Sequence, residues 1–168
     1  MRQITMDREN LMKGSVMLAK EQAPASCTLQ LSKEGSGILL PQLIDCKEHL
    51  LTFYVEVLEE HSLPMHLLFY VHGEKEPALE IRFGLLPKVR SMVCIDLGWL
   101  DGRELFPEAM PGTLKIVCHG RRVFREEIEK AVLSSMACFH DVKIKIEEMA
   151  LRDEYPVNPE LPDEKLVD

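Results

Sequence analysis

Aromatic and hydrogen-bonding side chains recur at every second position in the middle of this sequence. Tyr54 and Glu56 alternate with apolar residues in one segment, and His66, Tyr70 and His72 do so in the next. An aromatic ring can cover the apolar C–H face of a sugar while polar side chains bind its hydroxyl groups. The residues that we predict for a carbohydrate-binding face are Tyr54, Tyr70, His72, Glu80, Arg82 and Trp99.

The two tyrosines are the predicted stacking platforms, on condition that their strands share one sheet. Arg82, Glu80 and the histidines would then bind hydroxyl groups around them. Trp99 lies in the loop 98–102, where it would either add a platform or cover one end of the core. The same alternation also fits a solvated outer face that binds nothing, because half-buried antiparallel strands show it whatever their function.

A jelly-roll polysaccharide lyase is the enzymatic alternative. Such an enzyme needs a tyrosine and a histidine as acid and base, and an arginine to neutralise a uronate carboxylate. The residues of these types are Tyr70, His66, His72 and Arg82. Against this, the outward acids Glu56 and Glu80 and the net charge of −8 would repel an anionic substrate.

The sequence predicts no cofactor and no catalytic metal. His66 and His72 lie roughly 20 Å apart on one extended strand at ~3.3 Å per residue, too far to share an ion with His119. A structural Ca²⁺ is the one metal alternative, although the loop acids lack EF-hand spacing. Those loop acids are Asp101, Glu104 and Glu108. Nucleotide, nucleophile-elbow and zinc-protease motifs are absent from the sequence.

Composition narrows the class of protein. The chain has 168 residues, of which 46% are hydrophobic and 29% charged, and these values are ordinary for a soluble globular domain. An acidic chain lacks the basic footprint of a nucleic-acid binder. No apolar run approaches the ~18 residues of a membrane span. We therefore predict neither nucleic acid nor membrane as a partner.

The cysteines and the first residues of the chain predict a compartment. The five cysteines include no CxxC pair, which favours small buried thiols in a reducing environment over a disulfide framework. Asp7, Glu9 and Lys13 interrupt the region where a signal peptide needs an uncharged apolar core. The prediction from both features is a cytoplasmic protein.

Short strands are the elements that must position these residues. Apolar and polar residues alternate over 51–57, 66–72, 79–83 and 89–97. Further strands are predicted at 27–31, 38–44, 114–119, 131–136 and 142–146. The charged segment 125–130 is predicted as a short helical turn at best. Eight to nine short strands without βα units favour an all-β fold, an antiparallel β-sandwich of the jelly-roll type.

Three regions are predicted along the chain. Residues 1–13 form an N-terminal extension, 14–150 the jelly-roll sandwich, and 151–168 a linker. The last region holds three prolines and six acidic residues, a composition typical of extended linkers. A linker in this place indicates a module followed by another domain.

Several motifs of the second half of the chain occur in a recognisable order. They are the Gly84–Pro87 turn, the Leu100–Gly102 loop, Pro111–Gly112 before a Leu-Lys strand, and Gly120–Arg122 followed by Glu126–Ile128. Over roughly residues 64–168 the pattern resembles the N-terminal jelly-roll modules of large bacterial agarase-like glycoside hydrolases, which are galactose-binding-like domains of carbohydrate-binding-module type. The tail segments Asp153–Pro156 and Lys165–Asp168 resemble the linker into the catalytic barrel.

The resemblance implies a non-catalytic accessory module of a glycoside hydrolase. Its expected partners are a polysaccharide or oligosaccharide and a catalytic barrel in the same or a neighbouring chain. The module would hold a glycan near the barrel or pack against it. A purely structural interaction module without sugar affinity is the first alternative, and the lyase is the second.

Overall fold

The computed structural model describes residues 1–20, 25–41, 43, 48–97, 115–118 and 125–154. Within these ranges the chain has eleven strands and two short 3₁₀ helices, Arg8–Asn10 and Arg125–Glu127. Neither helix is long and apolar enough to cross a membrane. The strands are β1 (Arg2–Gln3), β2 (Ser15–Lys20), β3 (Cys27–Leu31), β4 (Gly37–Leu40), β5 (Leu50–Val57), β6 (Leu63–Val71), β7 (Leu79–Leu85), β8 (Ser91–Asp96), β9 (Lys115–Cys118), β10 (Ile128–Ser135) and β11 (Val142–Arg152).

The strands form two antiparallel sheets that share one core. The six-stranded sheet has the order β2-β3-β11-β5-β8, with β1 beside β11. The five-stranded sheet has the order β4-β10-β6-β7-β9. A single cluster of buried side chains contains residues of both sheets, so their inner faces pack together. The predicted all-β antiparallel sandwich is confirmed, and all nine predicted strands occur in it.

Alternation of apolar and polar residues builds this core as predicted. In β5 the residues Phe53, Val55 and Val57 are buried, and in β6 Leu67 and Phe69 are buried. The residues between them from Tyr54 onward in β5, and those next to Leu67 and Phe69 in β6, are only partly buried. Phe53 and Phe69 are the two largest fully buried side chains in the described part of the chain. Full burial of such a side chain contributes about 1.5–3 kcal/mol to folding.

The sandwich begins earlier in the chain than the predicted boundary at residue 14. Strand β1 pairs with the end of β11, where Arg2 lies opposite Leu151. Ile4 and Met6, which follow β1, are buried in the core. The prediction missed β1 because two residues show no periodicity, and the sandwich also continues past residue 150 because β11 ends at Arg152.

Two local predictions were wrong. The segment 125–130 was expected to be a helical turn, but the 3₁₀ helix ends at Glu127 and Ile128 begins β10. Ile128 is buried and lies opposite Val71, so pairing with β6 decides its conformation. The strand predicted over 89–97 begins only at Ser91, and Val89, which precedes it, is exposed.

Gly37 allows the edge strand β4 to approach β10 closely. A Cβ atom at this position would lie 1.9 Å from the backbone oxygen of Leu133. The amide of Gly37 also donates a hydrogen bond of 2.7 Å to Ser15 Oγ, which belongs to the other sheet. The residue therefore fixes one edge of the five-stranded sheet.

Candidate functional site

The outer face of the five-stranded sheet, which we call the β6–β7 face, holds three of the six predicted binding residues, and a fourth, His72, follows directly after β6. Its outward residues on these strands include Tyr70 on β6 and Glu80 and Arg82 on β7. The register places His66 opposite Arg82 and Leu68 opposite Glu80. Neighbouring strands lie about 4.8 Å apart, so His66, Glu80 and Arg82 lie close together, and Tyr70 lies farther along β6 on the same face.

A network of charged side chains lies at the centre of this face. His66 Nδ1 and Glu80 Oε2 are 2.6 Å apart, and Arg82 Nη2 donates a hydrogen bond of 3.1 Å to Glu80 Oε1. Glu80 was expected to be a solvated outer residue, but it is only 5% exposed because its two partners and the adjacent strand cover it. Both oxygens of this carboxylate are therefore used within the protein.

The environment of Glu80 keeps it ionised. Burial alone would raise the pKa of Glu80, but hydrogen bonds from Arg82 and His66, together with their positive charges, lower it from 4.5 to about 2. The carboxylate offsets the charge of Arg82 and orients both side chains. Glu80 thus holds the side chains of His66 and Arg82 in position.

One donor of Arg82, its Nε, has no acceptor among the described residues. Its side chain is 39% exposed and gives Nη2 to Glu80. Its Nε is buried and has no hydrogen-bond partner among the described residues. A buried donor without a partner costs about 1–3 kcal/mol and calls for an explanation such as a bound water or ion.

Tyr70 lies four residues from His66 on the same face. Lys130 of β10 is its register partner, and the Lys130 ammonium lies 5.5 Å from the centre of the Tyr70 ring. Burial, followed by the nearby charge of Glu76, raises the pKa of the Tyr70 hydroxyl. The distance to Lys130 is near the outer limit of a cation–π interaction, so the lysine interacts only weakly with the ring.

Tyr54 lies on the outer face of the other sheet, which we call the β5–β11 face. The guanidinium of Arg90 stacks on its ring at 3.6 Å from the ring centre. Arg90 Nε in turn donates a hydrogen bond of 3.1 Å to Glu147 Oε1 on β11. One face of the Tyr54 ring is thus covered by a side chain that is itself held in place.

The structure separates the two predicted stacking platforms. Tyr54 is on β5 and Tyr70 is on β6, and these consecutive strands belong to different sheets. The outer faces of a sandwich point in opposite directions, so the condition on which both tyrosines would form one platform, that their strands share a sheet, is not met. His72 lies just beyond β6, where its exposed ring pairs with Glu129 at 3.3 Å. Trp99 lies outside the described residues.

The described residues were searched for metal-ligating clusters and for reactive thiols. These ranges contain no group of three His, Cys, Asp or Glu side chains that could hold a metal ion. The acids named for a structural Ca²⁺ lie outside them. Burial raises the pKa values of the Cys94 and Cys138 thiols, and Cys27 is buried in the core. The Cys94 and Cys138 thiols are therefore poor nucleophiles near neutral pH.

Sequence reasoning missed two residues that decide how the faces differ. Lys130 lies in the segment that was predicted as a helical turn, so its place beside Tyr70 could not be foreseen. Arg90 precedes β8, and its stacking on Tyr54 depends on the pairing of β8 with β5. The alternation of apolar and polar residues along one strand does not indicate that Lys130 lies beside Tyr70 or that Arg90 stacks on Tyr54.

Comparison with known proteins shows the fold. No protein-family model and no curated protein matches the sequence. Among solved structures, the chain is similar to an exo-beta-agarase, with a TM-score of 0.64, 13% identity, and coverage of 92% of this chain and 25% of the agarase. It is similar to a second agarase, with a TM-score of 0.60, 12% identity, and coverage of 90% and 25%.

A carbohydrate-binding module has the same fold over nearly its full length. The family 11 module of a cellulosomal cellulase of Clostridium thermocellum matches with a TM-score of 0.52 and 12% identity, over 90% of this chain and 94% of the module. The predicted jelly-roll type of sandwich is confirmed by these likenesses. The chain spans about a quarter of the length of the agarases that it matches.

Proposed function

We propose that this chain is a non-catalytic carbohydrate-binding module that accompanies a glycoside hydrolase, and that it binds its glycan on the β6–β7 face. The observation that carries the proposal is a partly exposed Tyr70 ring on the same face as the His66–Glu80–Arg82 network, in a sandwich that shares the fold of a carbohydrate-binding module. A stacked ring and oriented donors are the two elements that sugar binding requires.

The likeness to agarases favours a galactan as the polysaccharide and a catalytic domain as the partner. A module tethered to such a domain would raise the effective concentration of substrate at the catalytic centre. One stacking ring and a few hydrogen bonds fit weak binding, in the millimolar to high-micromolar range of about 4–6 kcal/mol.

The spacing on the β6–β7 face supports binding over lyase chemistry. Tyr70 and His66 are four residues apart on one strand, roughly 13 Å at ~3.3 Å per residue. His72 is closer to Tyr70, but Arg82 lies opposite His66, four residues from Tyr70 along β6. An acid, a base and a carboxylate-neutralising arginine therefore do not meet in one place, and the Glu80 carboxylate already engages Arg82.

A glycan array on the intact chain tests this function. The variants are Tyr70→Ala and, as the matched control on the opposite face, Tyr54→Ala. We expect wild type to bind galactan oligosaccharides, Tyr70→Ala to weaken binding about tenfold because an aromatic contact is lost, and Tyr54→Ala to bind within twofold of wild type. Thermal unfolding of each variant verifies that it is folded.

Three outcomes would overturn the proposal. They are an array with no bound glycan, equal binding by wild type and Tyr70→Ala, and loss of binding in Tyr54→Ala alone. Release of an unsaturated product from a uronate polymer, detected by ultraviolet absorbance, would establish the lyase instead.

A further inference from the structure

We propose that Phe139 is a second stacking platform for the glycan, at the end of the sandwich that adjoins the start of β6. This inference rests on the proposed function and adds the length of the ligand, because only a long polysaccharide segment reaches both Tyr70 and Phe139. A second platform is needed for such a ligand, since Tyr54 lies on the other sheet.

The first step is the exposure of Phe139. This residue lies in the loop 136–141, which connects β10 to β11. It is 94% exposed, the largest value among the exposed large hydrophobic residues of the described ranges. A covered aromatic side chain buries about 150–250 Å² of surface, so a ligand that stacks on this ring removes a large apolar area from water.

The second step is the anchoring of the loop on both sides of the ring. Cys138 packs against the core, and its Sγ lies 3.5 Å from the backbone oxygen of Leu31. The rings of His140 and His61 meet edge to face, with 4.5 Å between their centres. The neighbours of Phe139 are thus held in place while its own ring extends into solvent. A ring presented in this way loses little conformational freedom on binding, which favours affinity.

The third step is the set of polar groups at the loop. His61 and His140 are exposed, and a neutral imidazole has one nitrogen that donates and one that accepts a hydrogen bond. Burial raises the pKa of the Cys138 thiol, and the charges of Asp141 and Glu59 raise it further, so both carboxylates lie near the loop. Imidazoles and carboxylates are groups that bind sugar hydroxyls.

These polar groups favour a glycan over a protein or a membrane as the ligand. The core of a protein interface is depleted of charged residues, whereas Glu59 and Asp141 lie near this loop. Anionic lipid headgroups would be repelled by the same carboxylates. A neutral sugar requires an aromatic ring for its C–H face and polar groups for its hydroxyls, and the loop offers both.

The fourth step is the position of the loop relative to Tyr70. The amide of Met136 donates a hydrogen bond of 2.9 Å to the backbone oxygen of Pro64, which lies on β6 two residues before His66. Tyr70 is six residues from Pro64 along this strand, roughly 20 Å at ~3.3 Å per residue. A glycan that stacks on Tyr70 and follows β6 past His66 therefore reaches the loop of Phe139, whereas a short oligosaccharide covers one ring only.

The experiment measures affinity against chain length. Dissociation constants are determined by isothermal titration calorimetry on the intact chain for a series of galactan oligosaccharides. The series runs from members that cover one ring to members longer than about 20 Å. We expect wild type to bind the long members about tenfold more tightly than the short ones, because the second contact forms within one complex.

The variants assign this gain to the ring of Phe139. We expect Phe139→Ala to lose the tenfold gain and Phe139→Trp, which keeps an aromatic ring, to retain it. Leu86→Ala is the matched control and should also retain the gain. Leu86 is a 59% exposed apolar residue that follows β7 at the same end of the sandwich, where Leu85 pairs with Leu63. Thermal unfolding verifies that each variant is folded.

Three results would overturn the inference and leave the proposed function in place. They are an affinity of wild type that does not rise with chain length, a full gain in Phe139→Ala, and an equal loss of the gain in Leu86→Ala. In each case the β6–β7 face stands if Tyr70→Ala weakens binding of the short members. Absence of binding at every length would end the proposed function itself, and the inference with it.

Discussion

The two outer faces of the sandwich carry similar residues in different arrangements. Each has a half-buried tyrosine near a cation, and each has an arginine paired with a glutamate. On the β5–β11 face the arginine lies 3.6 Å from the centre of the Tyr54 ring, and Glu147 holds it there. On the β6–β7 face the Lys130 ammonium lies 5.5 Å from the centre of the Tyr70 ring, and the arginine of this face, Arg82, pairs with Glu80.

This difference shows that an outward tyrosine is not a platform by itself. Whether a tyrosine can stack on a sugar depends on whether another side chain already covers the face of its ring. Arg90 uses the ring of Tyr54 and the carboxylate of Glu147, so these three groups satisfy one another. On the β6–β7 face the nearest cation lies farther from the Tyr70 ring, and Arg82 pairs with Glu80 without stacking on an aromatic ring among the described residues, so this is the face that we propose for binding.

The largest effect is expected from breaking the edge of the five-stranded sheet. Gly37→Ala would place a Cβ atom against the Leu133 backbone oxygen, which cannot move without separating β4 from β10. We expect a loss of at least ~3 kcal/mol in the free energy of unfolding, measured by urea denaturation.

Gly84→Ala is the matched control for this change. Gly84 is on β7 of the same sheet, and a Cβ atom there would meet nothing within 4 Å. We expect its free energy of unfolding to stay within about 0.5 kcal/mol of wild type. Similar losses in both variants would show that Gly37 has no special part in the edge of the sheet.

The β6–β7 face should also respond to acid. Because the pKa of Glu80 falls from 4.5 to about 2 on folding, its contribution is fully present above pH 4.5 and is lost as the pH falls toward 2. The shift corresponds to about 3 kcal/mol. Urea unfolding of wild type and Glu80→Gln between these pH values isolates the effect, since the variant lacks this proton uptake. Parallel curves for the two proteins would contradict the ion network.

A smaller effect on the free energy of unfolding is expected when Glu80 and Glu147, the glutamates of the two faces, are each replaced by alanine. Glu80→Ala leaves Arg82 and His66 without their buried partner, and we expect it to cost about 2 kcal/mol. Glu147→Ala removes a more exposed pair and leaves Arg90 stacked on Tyr54, so a cost below ~1 kcal/mol is expected. Both values come from chemical denaturation at neutral pH. A larger loss for Glu147→Ala would reverse the ranking of the two faces.

The strands and their inward residues could be predicted from sequence because burial on one side imposes a period of two. Leu67 and Phe69 follow this rule and are buried. Strand β2 escaped prediction because Val16 and Leu18 are exposed, so its apolar residues lie on both faces. Its conformation comes from pairing with β3, a contact between distant parts of the pattern.

The site could be predicted only in part, because alternation assigns a residue to a face of its own strand and says nothing about the sheet that the strand joins. Tyr70, Glu80 and Arg82 come together because β6 and β7 pair as a hairpin. Tyr54 is excluded because the chain crosses to the other sheet between β5 and β6. That crossing is set by the packing of the whole sandwich, which no local pattern records.

Backbone chemical-shift mapping by NMR tests most directly which face binds. The labelled intact chain is titrated with galactan oligosaccharides. The account predicts the largest shifts at the amides of Tyr70, Arg82 and Lys130, with the amides of Tyr54 and Arg90 unchanged. Shifts that centre on Tyr54 and Arg90, with the β6–β7 face unmoved, would contradict it.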